Sequence, residues 1–387
     1  MFVFANTPDR RNTDSQKWRR YPPDVLPLWV ADMDFPAPPA VLEAVSARLA
    51  HGVLGYGEPL PEQNGAVVEH LATEYGWQID PEWIVWLPGL VVGLNVACRA
   101  VEGGVLTCTP IYPPFLSAPR LSGRALSRVP LTLADRRWQV DWAALEAAVL
   151  RENPGLLLLC HPHNPVGRCW SIAELRDFAG FAARHDLIVC SDEIHCDLLL
   201  DAGLRHQPFA ALPGMAERTI TLMAPSKTYN VPGLSCAFAI VPDARLRRRV
   251  TQVMAGIVPH VNVLGLVACA AAFREGKPWR QALLRVLARN RDRLEATVAA
   301  LPRLSMTHVE ATYLAWLDVR ELGLKDPVAH FLEHGLGLSD GADFGTPGWV
   351  RLNFGCTEAT LTEALRRLEH AVEAAQGWPG KAVCRKS

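Results

Sequence analysis

Gly155-Leu156-Leu157-Leu158-Leu159-Cys160-His161-Pro162-His163-Asn164-Pro165 is a short, continuous apolar run that breaks abruptly into histidines, prolines and an asparagine. An apolar run of that length without polar alternation is what a strand buried on both faces looks like. The pattern recurs downstream. Leu187-Ile188-Val189-Cys190 leads into Ser191-Asp192-Glu193-Ile194-His195, and Thr219-Ile220-Thr221-Leu222-Met223 leads into Ala224-Pro225-Ser226-Lys227-Thr228-Tyr229-Asn230. Cys236-Ala237-Phe238-Ala239-Ile240-Val241 is a fourth apolar run. Helical segments lie between them, and Ser171 with Glu174 three positions on predicts a capping box opening one of these. The fold class is therefore α/β, a mostly parallel sheet covered by helices.

Outward from this centre the texture changes. Residues 1–35 are rich in Pro, Arg and Asp and read as an extended arm. A helix follows Pro38-Pro39, with Val41, Leu42, Val45 and Leu49 as one apolar stripe. Residues 51–61 carry several glycines and prolines and read as loop. Beyond residue 285, a long helix over 283–301, strand-like 313–317 and 350–354, and a helix from about Leu361 predict a smaller α+β domain. The chain divides accordingly into residues 1–50 (arm and part of the small domain), 51–285 (large domain) and 286–387 (C-terminal small domain).

In open α/β sheets ligands sit beyond the carboxyl ends of the strands. Three successive strands here deliver an amide (Asn164), an acid (Asp192) and an amine (Lys227) to one rim. That set suits an aromatic aldehyde cofactor. A lysine can form an imine, a carboxylate can keep a pyridine nitrogen protonated, and an amide can bond a phenolic oxygen.

Eight stretches in order make the sequence similar to a known group: LPLWVADMDFP (26–36), HGVLGYG (51–57), LPGLVVGL (87–94), TPIYPPF (109–115), HPHNPVGR (161–168), SDEIHCDL (191–198), APSKTYNVPGL (224–234) and RLNFGC (351–356). Through nearly its whole length it resembles the fold-type I pyridoxal 5'-phosphate (PLP) enzymes of the aminotransferase superfamily. Within them it resembles the cystathionine β-lyase or C–S lyase group of the MalY/PatB type. The resemblance implies that Lys227 is the catalytic, Schiff-base lysine. It further implies that Asp192 pairs with the pyridinium nitrogen, Asn164 bonds the phenolic oxygen, His195 lies near that oxygen, and Tyr112 stacks on the ring. The phosphate would be held by backbone N–H groups of Val91 and Val92, by the Ser226 hydroxyl, and by Tyr56 reaching across a dimer interface. Arg351 would grip the substrate α-carboxylate. The chain departs from the group at Ala224, where Ser is common, at His161, where Asn is usual, and slightly at residues 90–93.

The implied reaction is β-elimination from cystathionine or a related cysteine S-conjugate, giving a thiol, pyruvate and ammonia, in a homodimer with shared active sites. A true aminotransferase would use the same lysine, acid and arginine, and a catalytically weak regulatory or interaction protein could keep the fold. Each residue also has a plainer reading. Asp192 could be a helix N-cap, Arg351 an ion-pair residue, Tyr112 core, Tyr56 loop packing, and His195 a satisfied neighbour of the site. Cys160, His161, His163 and Cys169 fit no standard zinc spacing, so no metal is expected.

Composition bounds the partners. Thirty-nine Lys and Arg nearly balance forty Asp and Glu in 387 residues, a formal charge of -1, which gives no reason to expect nucleic acid or an anionic membrane. No apolar run reaches the ~18–20 residues of a membrane span. The N-terminal apolar stretch is too short for a signal-peptide core, and the ten scattered cysteines include no C-x-x-C pair. Buried free thiols and a cytoplasmic location are expected.

Overall fold

The computed structural model describes residues 2, 4, 5 and 7–375. Its centre is a seven-stranded sheet of β1 (Ile84–Leu87), β2 (Gly104–Thr109), β3 (Leu126–Pro130), β4 (Pro154–Cys160), β5 (Ile188–Asp192), β6 (Thr219–Met223) and β7 (Ala237–Ile240), in the order β1-β7-β6-β5-β4-β2-β3. Only β7 runs antiparallel to its neighbours. The four apolar runs of the sequence are β4 to β7. The strands β1, β2 and β3, at the two edges of the sheet, are not among the runs read as strands from the sequence.

The continuous hydrophobicity of β4 has the reason its sequence suggests. Leu156 and Leu158 point into a core shared with the helix Leu90–Ala100, while Leu157 and Leu159 point into one shared with Trp142–Glu152 and Ile172–Arg184. Side chains alternate with period two, so a strand with a core on each face has no solvent side to make polar. Ser171 and Glu174 form the capping box predicted for Ile172–Arg184.

A second, four-stranded antiparallel sheet holds β8 (Ser305–Met306), β9 (Leu314–Asp318), β10 (Ser339–Asp340) and β11 (Trp349–Asn353), ordered β8-β9-β11-β10. The helices Lys277–Ala300 and Glu358–Ala375 cover it. The first of these runs unbroken through residues 285 and 286. The arm is anchored here as well. It forms a short helix, Gln16–Arg19, and a strand, Leu26–Pro27, parallel to Leu336–Gly337, before residues 29–35 cross toward the large sheet.

The helix after Pro38 is present as Pro39–Ala50, but its apolar residues are not one stripe. Val41 is buried and Val45 partly so, whereas Leu42 and Leu49 are about half exposed. At ~100° per residue Leu42 and Leu49 lie about a quarter-turn from Val41, beyond the face turned to the core. The nine cysteines among the described residues are free and buried, and Cys384 lies outside them. No helix among the described residues is long and apolar enough to cross a membrane.

Candidate active site

Parallel pairing fixes the rim. In the register of β4, β5 and β6, Cys160 stands beside Asp192, and Asp192 beside Leu222. The chain therefore leaves all three strands at one edge within a residue or two of the same level. A cavity of about 170 Å³ opens there, lined among others by Ala31, Val91, Tyr112, Asn164, Asp192, His195, Ser226 and Lys227. Eight of the ten residues singled out from the sequence meet at this place: these seven from Val91 to Lys227, and Arg351 bonded to Asn164.

Lys227 is the centre. Its Nζ donates to the Ala31 carbonyl at 2.6 Å. Burial and the Arg351 charge lower its pKa to about 8, while Asp32 and Asp192 work in the opposite direction. Asp192 is buried, and burial raises its carboxyl to about 7 although Ile194 N–H donates to Oδ1 at 3.2 Å. Among the described residues no salt bridge is made to Asp192, so this acid is kept in the interior without an ion-pair partner, with only the more distant Lys227 charge favouring its ionised form. His195 is held neutral by burial, with its pKa pushed down to about 3, and its Nδ1 is buried without a partner.

Arg351 comes from the other sheet. Alternation on β11 turns Val350 and Leu352 into the core and Arg351 and Asn353 toward the site. Arg351 Nη1 donates to Asn164 Oδ1 at 3.1 Å and Nη2 to the Trp29 carbonyl at 2.8 Å, and the guanidinium lies 4.7 Å over the Phe344 ring. Its Nε is buried and unpartnered, and burial lowers its pKa to about 10. The helix Leu90–Ala100 opens after Gly89, so the N–H groups of Leu90, Val91 and Val92 have no carbonyl a turn earlier within the helix. Val91 reaches the cavity wall, while the Val92 side chain packs into the core behind it. Tyr56 stands apart, fully exposed in the irregular segment before the helix Pro61–Tyr75.

Several participants were not singled out in the sequence. Residues 29–35 pass under the lysine and are pinned from two sides. Asn230, three residues after Lys227, donates to the carbonyls of Met33 (2.9 Å) and Phe35 (2.6 Å) and accepts from Met33 N–H. Asn353, two after Arg351, donates to the carbonyls of Val30 and Asp32, both at 2.7 Å. Tyr313 Oη donates to the Ala31 carbonyl at 3.0 Å, so that oxygen takes both the tyrosine and the lysine. The available signal was proximity, since both asparagines lie within motifs read for their charged residue, two or three positions after it. Ser235, with a left-handed φ of 47°, also lines the cavity, as does Ser226, and Ala224 is buried.

Cys160, His161, His163 and Cys169 are all buried and have separate neighbours. The Cys160 thiol donates to the Pro162 carbonyl, His163 Nε2 pairs with the Pro110 carbonyl at 2.8 Å, the His161 ring stacks on His206 at 4.4 Å, and the Cys169 backbone N–H donates to Glu310.

Known proteins share this architecture. The sequence profile of the family described as aminotransferase class I and II matches residues 23–368. Cystathionine beta-lyase PatB of Bacillus subtilis (strain 168) is 36% identical over 385 residues, covering 95% of this chain and 99% of PatB. The crystal structure of OvoB superposes with a TM-score of 0.94 at 45% identity, covering 96% of this chain and 99% of that one. Cystalysin from Treponema denticola, whose structure contains a pyridoxal 5'-phosphate cofactor, superposes with a TM-score of 0.92 at 30% identity, covering 97% of this chain and 99% of that one. The chain belongs to the aminotransferase class I and II family.

Proposed function

We propose that this chain is a PLP-dependent carbon–sulfur β-lyase that cleaves cystathionine or a related cysteine S-conjugate to a thiol, pyruvate and ammonia. One observation carries the reading: a buried lysine amine with its pKa lowered to about 8 shares a cavity with a carboxyl group that has no salt-bridge partner among the described residues. A bound PLP ring supplies that missing cation at its nitrogen and withdraws electrons from the substrate α-carbon. The site suits such a group. Free N–H groups at the helix start and the Ser226 and Ser235 hydroxyls offer donors for a phosphate, Asn164 and His195 for a phenolic oxygen, and Tyr112 a face.

The chain's own residues then divide the work. Lys227 holds the cofactor, and once its amine is free it takes the substrate α-proton. A pKa near 8 leaves a useful fraction unprotonated at neutral pH. Arg351 offers Nε–H and its remaining Nη protons to the α-carboxylate. Asn164, by accepting from Arg351 Nη1, ties the carboxylate site to the ring site. Electrons from the broken Cα–H bond form a Cα–Cβ double bond as the thiolate leaves Cβ, and the released enamine hydrolyses to pyruvate and ammonia. Pro88, Leu90, Val91, Ile194, Pro232 and Ala237 give the cavity an apolar wall, which suits a thioether better than a second carboxylate.

Assembly and setting complete the reading. The chain works as a homodimer with shared sites, supported by a tyrosine, Tyr56, left wholly in solvent within the motif HGVLGYG. Buried free thiols suit the cytoplasm. The proposed division remains residues 1–50, 51–285 and 286–387, with the helix Lys277–Ala300 spanning the second boundary as a strut common to both larger parts. The test is a product assay with cystathionine or an S-alkyl cysteine, with and without a 2-oxo acid. Pyruvate, ammonia and thiol in equal amounts without 2-oxo acid are expected. Strict dependence on the 2-oxo acid, with a new amino acid and no thiol, would make the protein an aminotransferase. No turnover and no visible absorption band after PLP addition would leave a non-catalytic protein.

A further inference from the structure

Lys17 has no exposed side-chain surface, and nothing in the sequence marks it. It projects from the short arm helix Gln16–Arg19 into the segment beneath the active-site lysine. Its ammonium donates to Asp34 Oδ2 at 3.0 Å and to the Asp32 carbonyl at 3.3 Å, and lies 3.8 Å from Asp32 Oδ1. Arg10 closes over the same two acids. Its Nη2 is 2.7 Å from Asp32 Oδ2 and its Nη1 3.2 Å from Asp34 Oδ1, and Nη1 also donates to the Met33 carbonyl at 3.2 Å. Trp18 Nε1–H adds a bond to Asp34 Oδ1 at 2.9 Å. Two cations thus balance two carboxylates inside residues 29–35, whose Ala31 carbonyl receives both Lys227 and Tyr313. Buried ion clusters contribute little net stability compared with apolar packing, so stability alone is a weak reason for one here.

We propose that Lys17 and Arg10 are positioning residues for Lys227, clamping residues 29–35 so that the Ala31 carbonyl holds the lysine amine at a fixed point in the site whenever that amine is not joined to the cofactor. The inference rests on the cofactor reading above. A carbonyl acceptor restrains the amine through one proton and leaves its lone pair free to take another. The clamp also sets the charge that Lys227 feels. The groups facing the amine are Asp192 and His195 from β5 and the turn after it, Arg351 from β11, Tyr313, Tyr112, and Asp32 from the clamped segment. Removing Lys17 leaves Asp32 and Asp34 with a single arginine, and the extra negative charge favours a protonated nitrogen on Lys227.

The experiment uses the holoenzyme of Lys17→Met, Lys17→Arg and Arg10→Met. It reads the pH midpoint of the visible cofactor band together with kcat and KM for an S-alkyl cysteine. For Lys17→Met the midpoint should rise by about half a unit. Its kcat should fall about fivefold with KM within about twofold, as misplacement of a reacting group would give. Lys17→Arg should return the midpoint toward wild type. Arg10→Met, at a position only a quarter exposed but nearer solvent, should move the midpoint the same way and decides the matter if Lys17→Met does not fold. An unmoved or lowered midpoint in the folded variants, with the wild type active, overturns the clamp. A wild type with neither visible band nor pyruvate release overturns the cofactor reading, and the clamp with it.

Discussion

Asp192 and Asp197 are five residues apart, both buried, and electrostatically opposite. Asp197 accepts from Tyr75 Oη at 2.6 Å, lies 3.3 Å from His70 Nε2 and is paired with Arg280, which also meets Glu74. These partners hold its carboxyl well below the ordinary carboxylate range against the opposing effect of burial. Asp192 accepts from one backbone N–H and makes no salt bridge among the described residues, and burial lifts it to about 7 although the Lys227 charge works the other way. The first acid is satisfied by its own chain and locks the helix Lys277–Ala300 to the loop after β5. The second is left incomplete at a cavity, the condition of a group whose partner arrives with a ligand. Burial of a carboxylate is therefore no guide to its role here, whereas the presence of an internal counter-charge is.

The comparison can be broken most directly at Lys227, the amine that shares the incomplete site. Lys227→Ala should lower turnover by about 10³-fold or more and abolish the band that borohydride traps. Normal turnover, or borohydride labelling of another lysine in the wild type, would move the site elsewhere.

The two acids themselves should then part company. Asp197→Asn leaves the buried Arg280 with Glu74 as its remaining carboxylate partner and should cost up to about 3 kcal/mol in urea unfolding. Activity per folded molecule should change only a few-fold. Asp192→Asn should do the reverse, lowering kcat by about 10²-fold while sparing stability. Their pH dependence also differs in sign. The folded chain holds the Asp192 proton to pH about 7 whereas the unfolded chain releases it near 4. Without cofactor, wild type should therefore lose stability relative to Asp192→Asn as pH rises from 4 to 7, by on the order of 2–4 kcal/mol. Asp197, with its carboxyl depressed, contributes fully above about pH 4 and loses that contribution only in stronger acid. A flat Asp192→Asn difference across pH 4–8 would mean that Asp192 is already paired.

The smallest expected signal concerns Tyr56, which stands fully exposed in this chain. If Tyr56 completes a neighbouring subunit's site, mixing inactive Lys227→Ala with inactive Tyr56→Ala subunits should recover at most about a quarter of wild-type sites. An active monomer in ultracentrifugation would end the shared-site proposal.

The legible part of the molecule was the part where local sequence and environment coincide. In β4 to β6 all residues but Gly155 and Ile188, which are partly buried, are buried on one face or the other, so the strands appear as apolar runs, and the polar residues that end them mark the rim. Asn164, Asp192, Ser226 and Lys227 could be placed together for that reason. The single-stripe reading of Val41, Leu42, Val45 and Leu49 did not hold, because apolar residues at helical spacing can straddle two faces. The Ala31 carbonyl was invisible, since every residue carries one, and so was Lys17, since an arginine- and aspartate-rich arm looks solvated until its partners are known.

The sequence by itself determined the strand-and-loop alternation, the rim, the acid, amide and amine on it, and the kinship that names a cofactor. These follow from periodicity, from the end of each apolar run and from residue type, all of which are local. Only the tertiary structure decided that residues 29–35 run beneath Lys227, that Arg351 reaches across from a second sheet to Asn164, and that of two buried aspartates five residues apart one is neutralised and the other is not. Those are relations between segments up to more than 300 residues apart, as between Trp29 and Arg351. Electrostatic energy depends on distance and burial in space, and a linear pattern of charges does not contain either.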